Sequence, residues 1–168
     1  FTATWCGFCS MMAESFAVAQ EELPNRIVPF NLHPASSEGG LHYEGTEDME
    51  KLFNVTMYPT SVFNNYASIN NSNVNTCARR LRQIAEEAVS SFPASTAISA
   101  SSSVSGDVVD LTVRVAMKED MNYKVSAFLL ESGIVYPQES GGNDYVHNDI
   151  VRANVSEIFG GRLPETGV

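Results

Sequence analysis

Two cysteines separated by two residues, Cys6 and Cys9 in the stretch Trp5-Cys6-Gly7-Phe8-Cys9, are the side chains of this sequence best suited to chemistry. Thiols at that spacing can cycle between dithiol and disulfide. One thiolate attacks a foreign disulfide, and the second displaces the mixed disulfide that results. An ordinary thiol with a pKa of about 8.5 is only a few per cent ionised at neutral pH, whereas one lowered to about 7 is half ionised. Free backbone N–H groups and the dipole at a helix N-terminus supply such a shift. Met12, Phe16 and Ala19, with Met11, Ser15 and Val18 beside them, recur at helical spacing until Pro24 and Asn25. They predict a helix that opens near Cys6 and holds Cys9 nearly one turn inside.

Two other uses of the pair stay open on the residues alone. A Cys-x-x-Cys is half of a zinc site, but the histidines that would complete it, His33 and His42, lie nine residues apart in a glycine-rich stretch with no second thiolate pair. A structural disulfide is the other use, although a two-residue gap stabilises little by loop closure. Cys77 falls on the apolar side of a helical pattern and reads as a small buried hydrophobe. His147, with Tyr145 and Arg152, reads as a hydrogen-bonding group that orders the end of the chain.

The elements that must position the pair alternate between strand and helix. Phe1 to Trp5 reads as the end of a strand, and Arg26 to Leu32 as a short buried strand troubled by Pro29. His33 to Gly45 is a loop, followed by a short helix capped by Thr46 with Glu47, Asp48 and Glu50 near its start. A strand through Val62 and Phe63 begins just after Pro59, whose bond to Tyr58 is a candidate for the cis form. The asparagine-rich run from Asn64 to Asn75 suits a loop or weak edge hairpin. From about Thr76 to Ser90, Cys77, Leu81, Ile84, Ala85 and Ala88 share one face of an amphipathic helix that Pro93 stops.

That layout, with Trp5-Cys6-Gly7-Phe8-Cys9 followed by Phe53-Asn-Val55-Thr-Met-Tyr58-Pro59-Thr60, resembles the active-site and cis-proline motifs of the thioredoxin superfamily. The resemblance covers residues 1–93 and implies an α/β thioredoxin-like domain whose first strand is truncated. It implies that Cys6 attacks, that Cys9 resolves, and that Trp5, Gly7, Phe8, Tyr58, Pro59 and Thr60 border the substrate. Phe8 stands where the family usually has proline. No cofactor is implied beyond a redox-active Cys6–Cys9 disulfide, and no metal. The expected partners are protein thiols or disulfides and an unidentified redox partner.

Beyond Pro93 the pattern changes. Val109, Leu111, Val113, Val115 and Met117 alternate with polar or small residues, Thr96 to Val104 precedes them as a strand, and Tyr123 to Leu129 follows. Consecutive strands predict a small antiparallel, sandwich-like β domain over 94–168. A thioredoxin-like domain followed by a β domain with Tyr145-Val-His147-Asn-x-x-x-Arg152 resembles a cell-envelope family named for a twenty-eight-kilodalton outer-membrane protein. That resemblance implies a periplasmic or outer-membrane-associated, extracytoplasmic location, with a lipid anchor conceivable upstream of Phe1.

Composition narrows the partners. A formal charge of -10 repels phosphate backbones, so nucleic acid is not expected. No apolar run approaches the roughly 20 residues of a membrane-spanning helix. The Asn-x-Ser/Thr matches at Asn54 and Asn154 carry no weight, and Leu163-Pro-Glu-Thr-Gly167 resembles a sortase signal without the tail that should follow it. The reading is therefore an extracytoplasmic thiol–disulfide oxidoreductase or isomerase. The alternative is an envelope binding or adhesion protein that uses the thioredoxin-like domain as a scaffold without turnover.

Overall fold

A computed structural model describes residues 1–64, 67–70, 73–118 and 122–162. The Leu163–Gly167 motif and most of the turn after Lys118 lie outside the described residues. The N-terminal half contains helix α1 (Cys9–Glu22), helix α2 (Thr46–Phe53), strands β1 (Ser61–Phe63) and β2 (Ala67–Ile69), and helix α3 (Val74–Ser91). The C-terminal half contains β3 (Thr96–Ser105), β4 (Val108–Met117), β5 (Lys124–Val125), β6 (Phe128–Glu131), β7 (Ile134–Val135), β8 (Val146–His147), β9 (Ile150–Asn154) and β10 (Gly161–Arg162).

Helix α1 buries Met12, Ser15 and Ala19, the three-to-four spacing seen in the sequence, and Leu23 and Pro24 end it. Its apolar face packs on α3 through Cys77, Leu81, Ile84 and Ala85, forming the larger core cluster with Ile27 and Ile69. Helix α3 is stopped by Phe92 before Pro93, and at its start the Asn73 side chain accepts a 3.0 Å bond from the Thr76 amide. Losing that acceptor leaves a helix donor unpaired. Asn73→Ala should therefore lower stability by about 1 kcal/mol in urea denaturation with no change in the denaturant slope.

Three local expectations change. Helix α1 begins at Cys9 rather than near Cys6, because Cys6 to Phe8 form a turn in which the Cys9 amide donates to the Cys6 carbonyl at 3.1 Å. Thr46 does not cap α2. It is the first helical residue, is fully buried, and its hydroxyl donates to the His33 carbonyl at 2.8 Å, while Gly45 holds the capping position. Residues 26–32 form no strand. Only Asn31 makes a bridge, parallel to Ile150, as Pro29 cannot donate to a ladder. The segment from Phe1 to Trp5 is likewise irregular, yet Thr2 donates to the Leu32 carbonyl at 3.0 Å and Thr60 donates to the Phe1 carbonyl at 3.3 Å. The residues before the cysteines thus lie between the 31–33 segment and the start of β1.

In the C-terminal half the strands pair in twos among the described residues: β3 with β4, β5 with β10, β6 with β9, and β7 with β8, all antiparallel. Among the described residues these are separate two-stranded sheets. The longest pair, β3 and β4, turns at Gly106 and Asp107 and exposes nearly every side chain, so its apolar alternation meets no second layer. The expected 123–129 strand divides into β5 and β6.

Helix α3 ends at Ser91, just before Pro93, and residues 128–158 return to the first half. Val151 is buried with Leu32, Tyr43 and Met49, and Phe128 and Ile158 pack against them. Arg152 Nη1 donates to the Gly40 carbonyl at 2.6 Å and its Nε pairs with Glu131 at 3.1 Å. A second seam runs through Gly39, whose φ of +75° favours glycine and over which the Tyr136 ring lies so closely that a Cβ would sit 2.6 Å from it. Gly39→Ala should combine backbone strain with displacement of that ring and lower stability by roughly 1–3 kcal/mol. Thermal unfolding measures it, and a loss below a few tenths would show that Tyr136 yields freely.

Candidate functional site

The Cys6–Cys9 turn sits where the irregular N-terminal segment enters α1. The two sulfurs form a disulfide, with Cα atoms 5.4 Å apart. Ala3, Cys6 and Cys9 make a small apolar cluster, and Tyr58 packs against it. The Tyr58–Pro59 bond is cis. Trp5 places its ring edge-on to Tyr58 at 5.5 Å, and its indole N–H donates to the Ser36 hydroxyl at 3.2 Å. Thr60 is buried, donating its hydroxyl to the Met57 carbonyl at 2.8 Å. Residues far apart in sequence therefore converge: Trp5 and the cysteines meet Tyr58, and Pro59 lines a cavity with Cys9, while Thr60 pairs with the Phe1 backbone instead. Gly7 lies in the turn between the cysteines, and Phe8 projects outward, 59% exposed, away from the cluster.

Tyr58 donates to the Glu50 carboxylate. Burial, reinforced by that carboxylate, holds the phenol far above its ordinary pKa, so it acts only as a proton-bearing donor. Glu50 thus ties the loop before Pro59 to α2.

Both sulfur-bearing residues are buried: Cys6 is only 4% exposed and Cys9 only 3%. The cover comes from the C-terminal half. Gln138, itself 4% exposed, sends its side-chain amide to the Ala3 carbonyl at 3.1 Å and the Cys6 carbonyl at 2.9 Å. The Glu139 amide donates to the Thr4 carbonyl at 2.8 Å, and the Ser140 hydroxyl lies 3.4 Å from where a Cβ on Gly7 would stand. No local signal distinguishes Gln138 from a surface glutamine.

A cavity of about 180 Å³ opens beside the disulfide, lined by Cys9, Met12, Pro59, Gln138, His33 and His147 among others. His33, weighed from sequence only as a metal ligand with His42, is fully buried and stacks edge-on to His147 at 5.7 Å. His42 instead approaches Glu47 at 3.6 Å. Neither ring nitrogen of His33 has a hydrogen-bond partner among the described residues. Burial, and then the proximity of His147, lower its pKa to about 3, so the ring is neutral. His147 bonds the Tyr136 carbonyl at 3.1 Å and rests on Tyr145 at 4.7 Å. Its own pKa is lowered by burial, partly opposed by that bond. Cys77 is buried in the core beside Leu81. No group of three or more His, Cys, Asp or Glu side chains suited to a metal occurs among the described residues.

Fold and site together define a mixed α/β chain whose buried disulfide turn is closed over by its own C-terminal half. Residues 46–167 match the family model described as outer membrane protein Omp28, and the chain belongs to that family. It is accordingly a cell-envelope, outer-membrane-associated protein. The match includes Tyr58, Pro59, Gln138 and His147 and begins after the cysteine pair. No curated protein and no solved structure matches the chain. Among the described residues no helix is long and apolar enough to cross a membrane.

Proposed function

We propose that this envelope protein exchanges disulfides with protein thiols through Cys6 and Cys9, on a thioredoxin-like arrangement of its N-terminal half. The observation that carries the reading is the meeting of two distant motifs: the cysteine turn and the Tyr58–Pro59 loop touch, with Trp5 closing one side. In the reducing direction the Cys6 thiolate attacks a substrate disulfide, forming a mixed disulfide and releasing one substrate thiolate. Cys9, deprotonated, then attacks Cys6 Sγ, closing the Cys6–Cys9 bond and releasing the second thiolate, so that two electrons pass to the substrate. The reverse sequence oxidises a dithiol. Trp5 and Tyr58 border the disulfide, and an extended chain lying along them would pair with the backbone there.

A second reading, a binding scaffold without turnover, is favoured by the burial of both cysteines. Measuring the Cys6–Cys9 reduction potential and the reduction or oxidation of a test protein disulfide separates the two. Exchange with a potential near the roughly -270 mV of thioredoxin marks a reductase, and one near -120 mV an oxidase. Absence of exchange in both directions leaves the scaffold.

A further inference from the structure

Gln138 is a buried primary amide whose hydrogens are directed at the backbone of the cysteine turn from more than 130 residues away in the sequence. Resting on the exchange reading above, we infer that Gln138 is a positioning and specificity-determining residue: it clamps the 138–142 turn over Cys6 as an internal competitor for an extended polypeptide substrate.

The turn is built to move as one piece. Gln138 and Gly142 bond to each other in both directions, at 3.0 and 3.1 Å, and the Gly141 amide also returns to the Gln138 carbonyl at 2.8 Å. Its links to the cysteine turn are of another kind. Gln138 Nε2 reaches the carbonyls of Ala3 and Cys6, and the Glu139 amide reaches the carbonyl of Thr4. Those three carbonyls lie beside the disulfide; Ala3 and Cys6 also accept from the Cys6 and Cys9 amides within the turn, and an incoming strand would have to displace the Gln138 and Glu139 donors to pair there. While the turn holds them, a protein substrate has neither its docking groups nor a path to Cys6 Sγ. When a competing chain takes them, the self-closed turn leaves without losing its internal bonds. Only partners that present such a chain gain access, which gives the C-terminal half control over the chemistry of the N-terminal half.

The test uses the oxidised chain and tris(2-carboxyethyl)phosphine, which reduces a disulfide without any exchange activity. Released thiols are trapped with a maleimide and counted by mass. Wild type should be reduced at least about tenfold more slowly than the isolated Thr4–Ser10 peptide disulfide, and its rate should level off at high phosphine, where turn opening becomes limiting. Gln138→Met keeps the shape and removes the donors, so reduction should be about tenfold faster than in wild type, as two modest hydrogen bonds imply. Gln138→Glu turns a carboxylate onto two carbonyl oxygens and should open the turn at least as far. If Gln138 only filled space, Gln138→Glu would instead behave like wild type, and equal rates in all three proteins would overturn the clamp. Should either variant fail to fold, the wild-type comparison decides alone: a rate equal to the peptide's, with no plateau, overturns it. A Gln138→Met chain that opens yet exchanges with no protein disulfide supports the clamp and removes the exchange reading, so the two ideas fail separately.

Discussion

A Cys9→Ser chain, reduced and mixed with a protein disulfide, should accumulate a covalent complex through Cys6, whereas Cys6→Ser should form none. The asymmetry follows from position. Cys6 lies in the turn that precedes α1, and Cys9 is the first residue of the helix. On the exchange reading, the positive end of the α1 dipole would favour an anion in the turn before the helix, where Cys6 lies, over one inside it. Cys9 borders the interior cavity with Met12, His33 and Pro59, so its sulfur is reached from inside the chain rather than by a bulky substrate. Removing the resolving sulfur stops the sequence after the first bond has formed, and the mixed disulfide persists until an external thiol cleaves it. Removing the attacking sulfur drops exchange to the uncatalysed background. Serine is small enough to leave the turn in place, so circular dichroism should not change. Non-reducing electrophoresis with mass mapping reads the result. Trapping through Cys9 in the Cys6→Ser chain would reverse the assignment, and trapping by neither variant would return the protein to the scaffold reading.

How much of this was legible in the sequence depends on the distance over which each feature acts. The cysteine turn, the apolar faces of α1 and α3 and the turn at Pro59 are local, and their spacing announces them. The one-turn error at the start of α1 arose because the Ala3–Cys6 and Cys6–Cys9 bonds close tight turns before the helix begins, a choice that periodicity does not encode. Thr46 matched a capping residue by type and place, but its hydroxyl was taken by the His33 carbonyl across the loop. The alternation in β4 was readable, but it names an apolar face without naming what, if anything, covers it. Gln138 was invisible because its role rests on two hydrogen bonds to Ala3 and Cys6, and polar residues in glycine-rich loops are usually solvated. The family match and the cysteine chemistry also occupy different parts of the chain. Membership places the protein at the envelope, while the exchange reading rests on geometry at Cys6, Cys9 and Tyr58.

Folding stability should fall steeply between about pH 6.5 and pH 3, and His33→Leu should remove much of the fall. His33 is wholly enclosed, and burial, followed by the neighbouring His147, lowers its pKa from 6.5 to about 3. Above pH 6.5 the ring is neutral in both folded and unfolded chains, so the full stability is present. Below that value the unfolded chain binds a proton that the folded chain refuses, which favours unfolding increasingly until the folded ring also titrates near pH 3. The span corresponds to roughly 5 kcal/mol, a large share of the 5–15 kcal/mol that holds an ordinary domain together. His147, also lowered by burial, adds in the same direction. Carboxylates contribute their own acid dependence, but they are shared by wild type and variant, so the difference between the two curves isolates His33. Leucine fills comparable space and leaves no unsatisfied nitrogen, so at pH 7.5 the variant should be at least as stable as wild type. Urea denaturation at pH 7.5, 6, 5 and 4 measures both slopes. Parallel curves would mean that the folded chain already admits a proton to His33, and with it that the cavity beside Cys9 is open to solvent in solution.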